Sequence, residues 1–374
     1  MSGRAGPTGD LTVELKAHAR ELGFHLIGVT TPEPFPDAEL DITRWLREGH
    51  QGEMAWLNEA RTRLATRPQE LLPGARSLIV VGVSYRTEEP AAGPGGRIAR
   101  YAWGSDYHDV LKARLHQLAA FLSEHVERDI QTRIFVDSGP LVERDAAARA
   151  GLGFRGKNTN LLTSIGSYVF LGALLTDVDL EPDRPLIKDC GTCRLCIDAC
   201  PTDALDQAYH LAAERCIAYL TIEHRGPIDL DLRPGLGEWV FGCDICQEVC
   251  PYNASSRGRP RGWAEFEPRE SPLAPRAGRG TRLDLEQVLT LDDEGFRHAF
   301  RGSPIKRAKR RGLARNAALA LGNQGEAAAR SALDRAAAED PEPMVREAAD
   351  WGLTQLPSSP PETPAAARAA AAPQ

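Results

Sequence analysis

Apolar residues recur at three- and four-residue spacing over residues 10–23, which predicts an amphipathic helix stopped by Gly23 and followed by a short strand at Phe24-His-Leu-Ile-Gly-Val29. A second helix is expected over roughly 38–50. Ser77 to Tyr85 is an unbroken apolar run with β-branched residues, the pattern of a strand buried on both faces. A Pro/Gly loop follows at 89–96, then a long amphipathic helix over 106–127. Arg133 to Asp137 reads as another strand ending at Ser138-Gly-Pro140, and the helix after it closes at Gly151. Tyr168 to Thr176 is a further strong strand. Strands and helices alternate irregularly, so residues 10–183 are expected to form an α+β domain, with α/β as the alternative.

The pattern changes downstream. Residues 184–252 hold every cysteine of the chain, and 253–283 are rich in Arg, Gly and Pro and read as a linker. Residues 284–356 are helical and Ala-rich. Two similar segments there, Arg311 to Gly322 and Met344 to Leu353, stand about 30 residues apart, a spacing that fits a pair of HEAT-like repeats or simply two amphipathic helices. Residues 1–9 and the low-complexity stretch 357–374 are expected to be disordered.

Of the 374 residues 42% are hydrophobic and 26% charged, enough apolar material for a packed core and incompatible with a collagen-like or wholly disordered chain. The net charge of −7 argues against a protein that coats nucleic acid everywhere, while leaving room for a local basic patch. The longest apolar stretch, Tyr168 to Leu175, is far short of the ~20 residues a membrane span needs, and the first residues show no apolar core of a signal peptide. A cytoplasmic location, no membrane partner and a monomeric state are the expectation.

All eight cysteines lie between Cys190 and Cys250. Such clustering in a cytosolic chain favours metal over disulfides. Cys190-x2-Cys193-x2-Cys196-x3-Cys200-Pro201 is the bacterial ferredoxin run for a 4Fe–4S cluster, in which the fourth cysteine crosses to a second cluster. The second run, Cys243-x2-Cys246-x3-Cys250-Pro251, has Val240 in place of its first cysteine, and Cys216 is the one thiol left over. One cluster then takes Cys190, Cys193, Cys196 and Cys250, and the other Cys200, Cys216, Cys243 and Cys246. The competing reading is two zinc sites, for which the x2 and x3 spacing before Pro is a poor match. Two clusters imply one-electron transfers from an external donor to an acceptor in the rest of the chain. No Gly-x-Gly-x-x-Gly fingerprint after a strand and no phosphate-binding P-loop sequence is present, so a nicotinamide or ATP site of those kinds is unsupported.

Asp137 to Arg144, Ala150 to Asn160, Gly166 to Gly172, Arg100 to His108, Cys216 to Gly226 and Phe241 to Tyr252 together resemble the epoxyqueuosine reductase family over roughly residues 10–355. The resemblance implies a nitroreductase-like cobalamin-binding domain, a ferredoxin-like domain with two 4Fe–4S clusters and C-terminal HEAT-like repeats that bind tRNA. It also implies reduction of an epoxide on a modified wobble nucleoside of tRNA, giving queuosine. Asp137 falls on the family's catalytic aspartate, although from the residues alone it reads first as a turn Asp capping the next helix. Tyr107, His108 and Asp106 are secondary candidates for protonation or substrate orientation, or else capping residues ahead of a helix. For cobalamin the resemblance points to Asp137, Lys157, Asn158, Thr159, Asn160, Ser164, Ala218, Thr221, Asp244 and, on a looser match, Arg63.

Arg297 to Asn316 carries eight Lys and Arg residues and no acid. Such a run is either a solvated helix face or a phosphate-binding surface. With tRNA implied, Lys306, Arg307, Lys309, Arg310, Arg311 and Arg315 become the expected contacts. The competing functions are a corrinoid reductase of a small molecule, such as a dehalogenase, and a non-catalytic electron-transfer protein.

Overall fold

The computed structural model describes residues 7–88, 93–254, 259–271, 273 and 280–357. The expected disordered tail from 358 and the first six residues lie outside them; the first helix already begins at Pro7, inside the stretch expected to be disordered. Among the described residues nine strands are formed: β1 (Leu26–Thr30), β2 (Ser77–Ser84), β3 (Gly96–Ile98), β4 (Thr132–Phe135), β5 (Gly153–Arg155), β6 (Leu161–Thr163), β7 (Val169–Thr176), β8 (Trp239–Phe241) and β9 (Arg282–Leu283).

The main sheet has the order β1-β2-β7-β4 and is antiparallel throughout. That is an α+β arrangement, and it rules out the parallel α/β alternative for this sheet. Every residue of β2 is buried, because successive side chains point to opposite faces and both faces are covered. Ile79, Val81 and Val83 meet Leu15 and the Leu111, Leu115, Leu118 and Leu122 stripe. These belong to the helices Pro7–Glu21 and Tyr107–His125. Leu78 and Val80 meet Ala146 and Ala147 of the helix Glu143–Arg149 on the other side.

A second, smaller sheet of order β8-β3-β9 joins segments that the sequence places in three separate units. Its core is continuous with the C-terminal helices: Ile98, Ile217, Val240, Phe241, Leu283, Leu313, Ala317 and Leu333 form one apolar cluster. The boundaries expected at 183 and 253–283 are therefore not gaps in packing. Within the presumed linker, Phe266 is buried, and Trp263 stacks on Phe266 and donates from Nε1 to the carbonyl of Gly23 at 2.9 Å. The described part of 253–283 is packed chain, and reading it as a linker is corrected on that ground.

The C-terminal helices are Lys309–Gln324, Arg330–Glu339 and Pro343–Gln355. The two similar segments lie on the first and third, which touch where Gly322 faces Gly352; a Cβ on Gly322 would stand 2.7 Å from the Cα of Gly352. Two of the expected tRNA contacts are corrected here. Arg310 is buried and forms a two-pronged ion pair with Asp340, and its Nε donates to the carbonyl of Leu291 at 2.9 Å. Arg315 is fully buried and donates to the carbonyls of Leu220, His224 and Gly226. Neither reaches a phosphate. The run lacks acids of its own, but acids from distant segments meet it.

Arg310→Ala is expected to lower the unfolding midpoint in a thermal melt, because it strands the Asp340 carboxylate, whose side chain is only 2% exposed. Breaking a buried pair on one side costs about 3–5 kcal/mol, and a double apolar replacement is often neutral. Arg310→Met with Asp340→Leu should therefore recover much of the loss. A midpoint for Arg310→Ala equal to wild type would deny the pair a structural role.

Candidate functional site

Asp137 follows β4 and adopts a left-handed backbone, φ 55°, which is uncommon for a side chain other than Gly or Asn. Glu143 holds that conformation: its two carboxyl oxygens accept from the Asp137 N–H at 2.9 and 3.0 Å. Asp137 does not cap the following helix, whose cap position is Val142. The side chain is instead two-thirds exposed and turned toward the start of the Tyr107–His125 helix. Its Oδ2 accepts from the Tyr107 hydroxyl at 2.5 Å and lies 3.5 Å from His108 Nε2. The other ring nitrogen of His108, Nδ1, lies 2.7 Å from Asp106 Oδ1. Asp106 also accepts from the His108 backbone N–H, capping the helix, and from Lys306 Nζ at 2.8 Å. Capping and site chemistry thus coincide at Asp106 rather than at Asp137.

The electrostatics separate the roles. Burial works against a charged His108, but the bonds to Asp106 and Asp137 outweigh it and raise the imidazole to about 9. Burial also works against a charged Asp137, yet His108 and Tyr107 hold its carboxyl below the usual range. Asp106 is held low by His108 and Lys306 against its own burial. Tyr107 is pushed well above the ordinary phenol, first by burial and then by the Asp137 charge. Glu143 rises to about 8, from burial and the same charge. At neutral pH the cluster consequently keeps protons on His108, Tyr107 and Glu143 around an ionised Asp137.

The turn over Gly156–Asn160 stands between this cluster and the cysteines. Arg144 Nη1 donates to the Thr159 carbonyl at 2.7 Å, tying the Asp137 loop to it; Thr159 itself has φ 62°. Asn160 Nδ2 lies 3.9 Å from Cys246 Sγ, and Asn158 Nδ2 donates to the Cys246 carbonyl at 3.2 Å. Lys157 Nζ donates to the carbonyls of Gly191 and Cys193 at 2.6 and 2.9 Å. All eight cysteines are free thiols. Cys196 is surrounded by the charges of Cys250, Cys190 and Cys193, and Cys243 by those of Cys216 and Cys200, with Cys246 beside Cys243 and Cys216.

Several residues expected at a cofactor are placed elsewhere. Thr221 is buried, donates to the Ile217 carbonyl and accepts from Gly242 N–H. Asp244 is buried, accepting from Arg100 N–H and Gln247. Asn158 is buried as well, and Lys157 is committed to the cysteine loop. Arg63 pairs with Glu70 on the surface. A side chain sealed among protein atoms cannot touch a ligand without the fold opening, so Thr221, Asp244 and Asn158 are corrected to structural roles, while Lys157 is partly buried and Arg63 exposed, each held by protein partners. Thr159 and Asn160 remain partly accessible, Ser164 is exposed, and Ala218 is partly buried one turn into the Ile217–Ile222 helix.

The remaining basic residues ring the acidic cluster. Lys306 is half-exposed and reaches Asp106, and Arg307 forks onto Glu223 with both contacts at 2.8 Å. Lys309 and Arg311 are exposed. Arg225, absent from the expected set, donates to the carbonyls of Arg307 and Ala308 and feels the charge of Arg311.

The family model described as "Epoxyqueuosine reductase QueG, DUF1730" matches residues 66–138, and that of a "4Fe-4S double cluster binding domain" matches 189–253. An epoxyqueuosine reductase of Gloeobacter violaceus is 40% identical over 327 residues, which cover 85% of this chain and 98% of that protein. One of Pseudomonas aeruginosa is 38% identical, over 92% of this chain and 94% of its own. The chain belongs to the epoxyqueuosine reductase family. Among solved structures, an epoxyqueuosine reductase crystallised with an epoxyqueuosine-modified tRNA-Tyr stem loop superposes with a TM-score of 0.81 at 33% identity, covering 92% of this chain and 90% of that one. An epoxyqueuosine reductase from Bacillus subtilis, whose catalytic loop is swung out of its active site, superposes with a TM-score of 0.80 at 31% identity over 92% and 90%.

In this member of the family, Glu143 and Arg225 are the site residues that sequence reasoning passed over. Glu143 lay within the motif that begins at Asp137, but only the backbone shows that it holds the Asp137 N–H. Arg225 lay within the Cys216 to Gly226 segment but joins the basic group only in space.

A pH series tests the charge on His108. Its folded-state value of about 9 exceeds the ordinary 6.5, so its stabilisation is complete below about pH 6.5 and is lost as pH rises through 9. The gap in urea midpoint between wild type and His108→Gln should accordingly narrow from pH 6.5 to 9.5. A gap that stays constant or widens over that interval would exclude a raised imidazole.

Proposed function

We propose that this chain reduces epoxyqueuosine to queuosine at the wobble position of tRNA, using a cobalamin supplied with electrons by two 4Fe–4S clusters, which an external donor recharges. The observation that carries this reading is the Asp106–His108–Asp137–Tyr107 cluster, open to solvent at Asp137 and linked through the Gly156–Asn160 turn to the cysteine loops. Turning an epoxide into an alkene and water consumes two electrons and two protons. When bound, the clusters deliver single electrons and a reduced corrinoid offers a nucleophilic metal toward the strained carbon.

The donor set fits the clusters: eight free thiols in two groups of four neighbours. Cys190, Cys193, Cys196 and Cys250 would hold one, and Cys200, Cys216, Cys243 and Cys246 the other, with Asn160 directed at the Cys246 sulfur. For the corrinoid the fit is narrower than expected. Asp137, Thr159, Asn160, Ser164 and Ala218 keep accessible surface. On this reading residues 10–183 are a nitroreductase-like cobalamin domain, 184–252 a ferredoxin-like domain, and 284–356 HEAT-like repeats that receive the tRNA.

The chain's own residues manage the protons. Asp137 presents its carboxyl to the substrate, and the proton it delivers is stored on His108, 3.5 Å away, which Asp106 orients and keeps charged. This resolves the conflict between a low carboxyl pKa and an acid role: Asp137 is the port and His108 the reservoir. Tyr107 fixes the Asp137 rotamer from below.

Asp137→Asn should retain iron and cobalamin absorption but lose single-turnover reduction of an epoxyqueuosine-containing anticodon stem-loop by ~10²–10⁴, the usual share of general acid catalysis. Near-wild-type turnover would remove Asp137 from the chemistry, and loss of cobalamin would make it a binding residue instead.

Lys306, Arg307, Lys309, Arg311 and Arg225 form the phosphate-binding ridge in this reading. Lys309→Glu with Arg311→Glu should weaken stem-loop binding and reduce the slope of log K against log salt by about 0.7–0.9 per lost contact, with iron content unchanged. An unaltered slope would place the RNA elsewhere.

A further inference from the structure

On the side of the cysteine region facing the Pro36–Arg47 helix, two histidines and three carboxylates converge from segments far apart in the chain. Trp45 Nε1 donates to the Leu211 carbonyl at 2.7 Å and the Glu53 N–H donates to the Tyr219 hydroxyl oxygen at 2.7 Å, so the two segments are clamped together. Beside this clamp, His50 and His210 meet edge to face with ring centroids 4.7 Å apart. Nε2 of His50 lies 3.7 Å from Glu48 Oε2, and Nε2 of His210 lies 3.9 Å from the same oxygen. One ligand atom from each of the three residues falls within 4.8 Å of the others.

The far nitrogens are engaged as well. His50 Nδ1 is 2.9 Å from Glu214 Oε1, and His210 Nδ1 is 2.7 Å from Asp206 Oδ1. A histidine whose Nδ1–H is held by a carboxylate presents a bare, basic Nε2, the arrangement that accompanies metal-ligating histidines. Both histidines have a carboxylate at Nδ1, and both Nε2 atoms lie near one oxygen of Glu48; a cation between them would hold the tautomer in which Nε2 is bare. Close to His50, Glu214 Oε2 and Gln51 Oε1 are also shut off from solvent without a hydrogen-bond partner among the described residues.

We propose that Glu48, His50 and His210 form a binding site for a borderline divalent cation of the zinc type, with Asp206 and Glu214 orienting the two imidazoles. Two imidazoles and a carboxylate suit such an ion better than a hard cation, which prefers oxygen donors, or a soft one, which prefers sulfur. A tetrahedral ion with bonds of about 2.0–2.1 Å spaces its ligand atoms about 3.4 Å apart, so the three donors need to close by a fraction of an ångström to about 1 Å. The Glu48 side chain is 47% exposed, leaving the fourth position to water. Nothing in the reductase chemistry requires this ion. It would staple the loop after the Pro36–Arg47 helix to the segment leading into Cys216. The next helix, Glu59–Thr66, carries Arg61, which donates to the carbonyl of Ser138 beside Asp137.

The experiment uses the full chain with its clusters reconstituted anaerobically, equilibrated with zinc chloride and desalted. Zinc and iron are then counted by mass spectrometry, and the zinc environment is read by X-ray absorption. The expected result is about one zinc per chain in a nitrogen and oxygen shell at about 2.0–2.1 Å. His50→Ala and His210→Ala should each lose that zinc while keeping wild-type iron. Asp206→Asn, which touches only the outer bond of His210, should bind zinc about 10–100-fold more weakly in a chelator competition. Should the alanine variants prove unstable, this last variant decides the matter. Zinc in a sulfur shell, zinc retained undiminished in the histidine variants, an unchanged affinity in Asp206→Asn, or no retained zinc in the wild type would each overturn the proposal and leave the cluster a set of ion pairs.

Discussion

Arg315 is a fully buried guanidinium to which no carboxylate among the described residues is bonded. Burial pulls its pKa down to about 9, and the charge is met by the carbonyls of Leu220, His224 and Gly226 together with Asn316 Oδ1. Asn316 next to it donates to the carbonyls of Thr221 and Val240. The Leu220 and Thr221 carbonyls belong to the last turn of the Ile217–Ile222 helix, where backbone acceptors have no partner within the helix and favour a cation. One pair of side chains thus seats the Lys309–Gln324 helix against the helix that starts after Cys216 and against β8, which runs into Cys243. Where those two thiols stand is set by a contact made from outside the cysteine region.

The readable parts of this molecule were those in which the chemistry is local. Ferredoxin spacing places each cysteine relative to its neighbours within a turn or two, and the apolar runs of β2 and β7 show directly because strands covered on both faces need apolar side chains at every position. Short strands such as β3 and β9 carry too few residues for a period to show, and their partners come from elsewhere in the chain. Val240 looked like a cysteine missing from a motif; it is a fully buried strand residue of the apolar core. The basic run misled for a related reason. Charge counted along a sequence includes no counter-charge from other segments, and Asp340, Glu223 and Asp106 supply it in space. The same limitation affected Thr221 and Asp244, where a motif match could not distinguish a residue facing a ligand from one supporting the backbone behind it.

Asp137 was found by motif but its setting was not. A turn Asp before a helix invites the idea of a cap, and the left-handed backbone held by Glu143 is what turns the side chain the other way. From there the contacts run in series from Asp137 through His108 and Asp106 to Lys306, so the acid cluster and the basic ridge are one electrostatic unit. A polyanion approaching Lys306 competes with Asp106 for it, and Asp106 is the group that keeps His108 charged. Whatever draws Lys306 away from Asp106 therefore acts on the charge of His108 through adjacent bonds.

The small β8-β3-β9 sheet has a consequence for how the protein is made. On the ribosome β3 is made long before either neighbour, and its last partner, β9, is synthesised only after all eight cysteines. Until then the cysteine loops hang on an unclosed sheet, and the helix bearing Arg315 does not yet exist to press Cys216 and Cys243 into place. The sheet thus closes last, around cysteines already made, and the order of closure follows from the position of β9 in the chain.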